Sequence, residues 1–556
     1  MLHIYCKNTD SYLDVQEGTT LLEILDQLSF EQPFPIISAK VNNVSQGLRF
    51  RVYNNRDVEF LDARTPCAMR VYVRSLFFLF CKAAYEVFNG CRTYLEHPLS
   101  GGFYCNIKKK DDTPLTEDDV NRLRDRMWAI VNEKVAFHRR EVQISEAIKM
   151  FRERGYIDKV RLLDTSEDVY TDYYLLGDSP DYYYGRLLPN AGYLQVWDVQ
   201  NCFDGVLLRV PDRRDPTRLA DYFPQPKTFE VFRENLRWNI ITRLNNVGDV
   251  NHLIRRGGAS DLIKVSEALQ EKKIVQIAEE IERRYYGENK VRLVLITGPS
   301  SSGKTTFCKR LSIQLLACGL TPVSLSTDDY FVNRVDTPLL ENGQYDFDNF
   351  DTVDHAALQR DLLKLLKGEE VELPTYNFKT GIREYNGKKK RMREGSVLLV
   401  EGIHALNPAL TDQIDDACKY RIFISTLTSI NLDNHNCIPP ADNRLLRRIV
   451  RDYNAGAFTA LESIRQWPNV LDAEEKWILP YQENADVMFN SALLVEFAVM
   501  RNHADPILRS IPKNCPEYSE AHRLLKFIHY FLAVSDAEIP PTSLLREFLG
   551  GSSFHN

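Results

Sequence analysis

The stretch Gly298-Pro-Ser-Ser-Ser-Gly303-Lys304-Thr305-Thr306 has the spacing G-x-x-x-x-G-K-[ST], which closes backbone N–H groups around an anionic phosphate chain. Gly298 and Gly303 reach backbone angles that other residues rarely adopt. The N–H groups of Ser300, Ser301, Ser302, Gly303 and Thr306 can therefore turn inward, at the start of a helix whose dipole favours negative charge. Lys304 is placed to reach the two outer phosphates, and the Thr305 hydroxyl to ligate Mg²⁺.

Two further groups of acids follow. Asp328 and Asp329 close the run Thr321-Pro-Val-Ser-Leu-Ser326, and Glu401 closes Ser396-Val-Leu-Leu-Val400. An acid at a strand end can take a proton from an attacking hydroxyl or hold the metal near the outermost phosphate. Spacing alone leaves Asp328 and Asp329 as rivals for the base.

At this point the chain resembles the uridine kinase/phosphoribulokinase family. The resemblance rests on the phosphate loop, Ser326-Thr-Asp-Asp-Tyr-Phe331, Gln344-Tyr-Asp-Phe-Asp-Asn-Phe-Asp-Thr-Val-Asp354, Pro374-Thr-Tyr-Asn-Phe378, Leu398 to Leu406, and Asn443 to Asp452. It implies an ATP-dependent kinase with Mg²⁺, acting on a small-molecule hydroxyl, first of all that of uridine or cytidine. By position it implies Asp328 as base, with Lys304 on the phosphates and Thr305, Asp328 and Glu401 around the metal. It implies Phe347, Asp348, Tyr376, Arg383 and Arg448 as acceptor contacts, and Arg451 beside the nucleotide. Three positions depart from the family: Gly381 stands where a His is carried, and Gly456 and Phe458 where the lid has two Arg. These departures leave a different sugar or polyol open as acceptor. They also leave open a nucleotide-binding regulatory or RNA-associated protein with little transfer activity.

The elements that must position these groups follow from patterning. Val291 to Ile296 is a short apolar run, a buried strand, and Phe307, Leu311, Leu315 and Leu316 give the helix after the loop. The expected fold is α/β multidomain: a C-terminal parallel sheet flanked by helices over 290–510, with a helical extension over 511–556. The extension either covers the core or joins two copies of the chain.

Upstream, residues 1–70 read as strand, strand, helix, strand, strand, with strands at 3–6, 12–15, 39–43 and 58–61. With Glu17-Gly-Thr-Thr-Leu-Leu-Glu-Ile-Leu25 they resemble the ubiquitin-like (β-grasp) TGS domain of threonyl-tRNA synthetases. Residues 71–225 resemble the α+β editing domain of threonyl- and alanyl-tRNA synthetases, through His97 to Ile107, Leu115 to Val131 and Arg140 to Leu163. That resemblance implies an H-x-x-x-H pair and a later Cys/His. Here Arg74 and Phe78 stand at the first, and Cys202 remains with Val206 or a neighbour opposite, so no editing hydrolase is expected. The reading places a helix at 144–152 and a strand at 159–163. The tyrosine-dense run 176–194 reads as packing rather than a base-stacking surface. Residues 226–289 read as a helical connector, with Gly257-Gly258 as a cap or hinge and Val265 on its apolar face.

A chain of 556 residues exceeds the ~250–300 that one core supports. A net charge of -7 gives no electrostatic case for bulk nucleic-acid binding, so RNA contact is confined to the synthetase-like modules. The 11 Cys form no C-x-x-C pair, which suits reduced thiols in a cytoplasmic protein. The longest apolar run, 76–81, is far too short to span a bilayer.

Overall fold

The computed structural model describes residues 1–554 other than 31, 289, 342 and 429. The connector boundary expected at residue 289 therefore lies outside the described residues.

The first sixty residues form a five-stranded mixed sheet. Its order is Ser11–Val15, Leu2–Cys6, Arg56–Asp62, Ile36–Val41, Val44–Gln46, with Leu2–Cys6 and Arg56–Asp62 parallel. The helix Leu21–Gln27 begins as the sequence asks. Thr20 accepts the Glu23 N–H at 3.2 Å, and the Glu23 carboxylate accepts the Thr20 N–H at 2.7 Å. The strand expected over 39–43 stops at Val41, because Asn42 and Asn43 take φ of 48° and 60° and turn the chain into Val44–Gln46. Asn is among the few residues that tolerate that region.

The helix Pro66–Val87 runs through the expected boundary at 70/71. Behind it lie two antiparallel sheets, one of Arg92–Leu99, Gly102–Lys108, Gly205–Arg209 and Asp198–Cys202, the other of Phe137–Gln143, Tyr170–Leu176 and Ser179–Asp181. The helix Ile144–Glu153 falls where expected. The strand expected at 159–163 is instead the helix Ile157–Asp164. Lys159, Leu162 and Leu163 are buried on one face, at helical spacing, and the Lys159 ammonium lies between Asp181 at 2.9 Å and Asp433 at 3.1 Å. A strand would have turned alternate residues to water.

The connector holds three helices, Pro226–Thr242, Val247–Arg255 and Ala259–Tyr286, the middle one not expected. Gly257, at φ 81°, and Gly258 separate the last two. Val265 is exposed, while Ile274, Ile277, Ala278 and Ile281 carry the buried face.

The site rests on a five-stranded parallel sheet: β1 Leu293–Thr297, β2 Thr321–Ser326, β3 Ser396–Glu401, β4 Lys419–Ser425 and β5 Val487–Asn490, in the order β2-β3-β1-β4-β5. Helix α1 (Lys304–Ala317) follows β1, α2 (Pro440–Asn454) follows β4, and α3 (Ala460–Trp477) precedes β5. Parallel strands buried on both faces read as unbroken apolar runs, and every residue of β1 is buried. One apolar core joins Ala147, Phe151 and Leu162 to Leu445, Phe497, Leu524 and Phe527. The helix Tyr518–Ile528 thus covers a core shared with the helices Ile144–Glu153 and Ile157–Asp164. Among the described residues no helix is long and apolar enough to cross a membrane.

Candidate active site

The phosphate loop leaves β1 through a backbone crossing that admits no side chain. A Cβ on Gly298 would lie 2.4 Å from the Ile424 carbonyl oxygen on β4. Gly303, at φ 88°, then starts α1, and Ser301 also takes a positive φ of 60°. The Ser301 and Ser302 hydroxyls are buried with no partner among the described residues. Buried polar atoms are ordinarily paired, so these two mark a turn shaped for a polar guest. The Lys304 ammonium donates to the Pro299 carbonyl at 3.2 Å. Burial lowers its pKa, against the pull of Glu401 and Asp328.

The sheet register brings the acids to this loop. Glu401 pairs with Ser326 on one side and Ile296 on the other. The Ser326 hydroxyl donates to the Glu401 carboxylate at 2.9 Å and accepts the Asp328 N–H at 3.4 Å. Gly402 is compulsory, because a Cβ there would lie 1.7 Å from Thr327 Oγ1. Burial first, then the neighbouring Asp328, pushes Glu401 up to about 7. Burial raises Asp328 too, with Lys304 opposing. The two titrate as a pair.

Asp329 is turned elsewhere. Its carboxylate accepts the Tyr376 N–H at 3.4 Å, and its nearest cations are Lys388 and Lys390. The structure therefore separates residues that spacing could not: Asp328 faces Lys304 and Glu401, and Asp329 faces the strand Val371–Asn377.

The oxygen donors Thr305, Asp328 and Glu401 suit a hard divalent cation. The fit has a physical sign. Burial raises both carboxylates and Asp328 raises Glu401 further, with Lys304 opposing at each, and burying charge without compensation is costly.

The opposite wall carries Asp348, Tyr376 and Arg448. Burial pushes Asp348 up to about 6, while the Arg448 charge pulls it down. Arg448 reaches the Ser300 hydroxyl at 3.3 Å, so one guanidinium touches the phosphate loop and is felt by Asp348. The Tyr376 hydroxyl is buried without a partner among the described residues. Arg383 is held by Asp354 at 2.9 Å and Arg451 by Asp452 at 2.8 Å, while Phe347 is exposed. The structure thus gathers Lys304, Asp328, Glu401, Asp348 and Arg448, and ties Arg383 and Arg451 to their own acids. Gly381, at φ 72°, lies against Arg334, whose Cβ would meet a side chain there at 2.7 Å. Gly456 and Phe458 lie in the turn between α2 and α3.

Several residues escaped the sequence reading. The ring nitrogens of His404 are buried, and burial pushes its pKa down to about 4 against hydrogen bonding to the backbone of Asn349 and Asp348. Its place three residues after Glu401 was the one signal available. Arg444 and Arg447 on α2 are buried in ion pairs with Glu474 and Glu496, and Arg447 also donates to the Ser301 carbonyl at 3.3 Å. Glu474 accepts the Ser300 N–H at 3.3 Å, and Glu547 accepts the Thr306 N–H. These acids come from sequence far outside the motif, which nothing in its spacing announces.

Within residues 71–225, Phe78 is buried and the Arg74 guanidinium lies 4.8 Å over the Tyr184 ring. Cys202 and Val206 are buried on neighbouring strands, and burial raises the Cys202 thiol. His97 is stacked on Phe232 at 5.2 Å and held near 3 by burial, whereas His138 is exposed. Tyr182, Tyr183 and Tyr184 are buried, so that run packs.

Comparison with known proteins places this geometry. Residues 293–497 match the phosphoribulokinase/uridine kinase family. A uridine kinase of Ligilactobacillus salivarius is 30% identical over 203 residues, covering 36% of this chain and 85% of the relative. A uridine kinase of Mycoplasma pneumoniae is 29% identical over 230 residues, covering 38% and 96%. One from Ureaplasma parvum serovar 3 is 28% identical over 196 residues, covering 35% and 86%.

Proposed function

This chain belongs, through residues 293–497, to the phosphoribulokinase/uridine kinase family, and from that premise we propose that it transfers the γ-phosphate of ATP to a hydroxyl of a pyrimidine nucleoside, uridine or cytidine. It is a phosphotransferase with an alcohol as acceptor. The observation that carries the reading is the Asp328–Glu401 pair beside Lys304, facing a wall that holds the unpartnered Tyr376 hydroxyl.

In this mechanism the loop N–H groups and Lys304 hold the phosphate chain, and Lys304 offsets charge that builds on the transferring group. Asp328 accepts the acceptor hydroxyl's proton as its oxygen attacks the γ-phosphorus, and the bond from that phosphorus to the bridging oxygen breaks to release ADP. Thr305, Asp328 and Glu401 would hold Mg²⁺, which would supply neutralising charge when bound. Asp348, Tyr376 and His404 orient the acceptor, and Arg448 spans the acceptor and phosphate sides. Arg451, Phe347 and Arg383 complete the nucleotide and acceptor contacts once their present partners are exchanged.

Turnover of ATP by the full chain against nucleosides, sugars and polyols tests this. Uridine or cytidine consuming ATP fastest supports it. Turnover of another sugar or polyol alone would move the acceptor class. ATP binding with no acceptor turned over would favour the regulatory reading. The eleven thiols, all free, suit a cytoplasmic setting. We assign the N-terminal modules the TGS-like and editing-like identities that their sequences resemble, as docking domains with RNA as the partner to test.

A further inference from the structure

Away from the phosphate loop, a cavity of about 270 Å³ opens where the N-terminal sheet, the helix Pro66–Val87, the segment around Tyr184 and the helix Tyr518–Ile528 meet. It shares no lining residue with the candidate active site. Six of its lining residues are Arg70, Arg74, Arg186, His522, Arg523 and Lys526. In a protein of net charge -7, such a concentration of one sign needs a reason.

The ion pairs do not supply it. Arg70 and Arg523 are neutralised by Glu520 and Asp442, at 2.5 to 2.7 Å. Arg186 and its neighbour Arg139 both reach Asp172, at 3.3 and 2.6 Å, and Arg139 also pairs with Glu141 at 3.4 Å. Arg74 and Lys526 have no acidic partner among the described residues, which leaves about two positive charges uncompensated. Burial, then the charges of Arg186 and Arg74, pushes the Lys526 ammonium down to about 8.

The fold holds this arrangement open. Residue 185 must be glycine for Arg74 to lie where it does, since a Cβ there would meet its guanidinium at 2.2 Å. Arg74 is thereby fixed over the Tyr184 ring rather than free to swing into water. Planar guanidinium forks and a nearby ammonium are the groups that recognise phosphate oxygens. The volume sits just below the ~300–1,000 Å³ of ordinary small-molecule pockets. That suits a compact anion rather than an extended nucleic-acid backbone.

We propose that this cavity is a second anion site, separate from the catalytic one, which takes a small ligand bearing a chain of two or more phosphates. The probe is inorganic tripolyphosphate, titrated calorimetrically into the full chain. Lys304→Ala removes the phosphate loop's contribution, and this chain is expected to keep one tripolyphosphate site. Adding Arg74→Gln and Lys526→Gln should weaken that site at least thirtyfold. Adding Asp172→Asn instead should strengthen it several-fold, a gain that loss of folding cannot imitate. No site in the Lys304→Ala chain, or affinities unmoved by both sets of changes, would overturn the proposal.

Discussion

The Glu547 carboxylate accepts two hydrogen bonds from Thr306, from its N–H at 3.2 Å and its hydroxyl at 2.6 Å. A side chain from the last helix of the chain thus occupies donors at the start of α1, where an anionic ligand's phosphates would go. Leu544 packs beside it, 3.4 Å from the Cβ position of Gly303. An incoming nucleotide must displace that carboxylate. A hydrogen bond to a charged group contributes ~1.5–3 kcal/mol, and ~1.4 kcal/mol is tenfold in affinity. Glu547→Gln is expected to bind ATP about tenfold more tightly by calorimetry. An unchanged dissociation constant would show that the contact does not compete.

Asp328 and Asp329 differ in what they face, and their substitutions should differ accordingly. Asp328→Asn is expected to lower kcat by ~10²–10⁴-fold, the usual worth of a positioned base, with ATP binding retained. Asp329→Asn, which removes a charge but keeps an oxygen that can accept the Tyr376 N–H, should cost less than about tenfold. Steady-state kinetics on the two variants decide, and the reverse ranking would reassign the base.

The acid pair makes stability fall with rising pH. Glu401 sits at about 7 when folded against 4.5 as a free side chain, so the folded state holds its proton more tightly. Folding is therefore favoured by this group below about 4.5, and that contribution is lost as pH rises toward about 7. Thermal melts across that window should show a smaller decline for Glu401→Gln than for the unaltered chain. Added Mg²⁺ should reduce the decline at neutral pH. Parallel melting curves for the two proteins would contradict this.

Arg447 is 1% exposed and bonds to Glu496, Ser491 and the Ser301 carbonyl. Truncating one partner of a buried pair costs ~3–5 kcal/mol because the other is left uncompensated. Arg447→Met should lower the denaturation midpoint sharply, and Arg447→Met with Glu496→Leu should recover much of the loss. A single variant that melts normally would mean that water reaches the Glu496 carboxylate.

Read without coordinates, the chain discloses what is local. A glycine that must cross a strand, a lysine at a helix start and acids at strand ends lie within a few residues of the elements that position them. Their spacing is therefore diagnostic, and the motif and the apolar strands are legible directly. The helix at Ile157–Asp164 was not, because in isolation its apolar residues fit a short strand equally well. Only Asp181 and Asp433, one of them 274 residues away, decide that Lys159 faces inward.

The amino-acid order alone thus determined the phosphate loop, the acids beyond β2 and β3 and the family to which they belong, since these depend on short-range backbone geometry and chemistry. The tertiary structure alone decided which aspartate faces Lys304, that Glu547 reaches Thr306, and that cations from three separate segments share one cavity. Those relationships join residues up to hundreds of positions apart. Their proximity is set by packing of the shared core, to which spacing along the chain carries no guide.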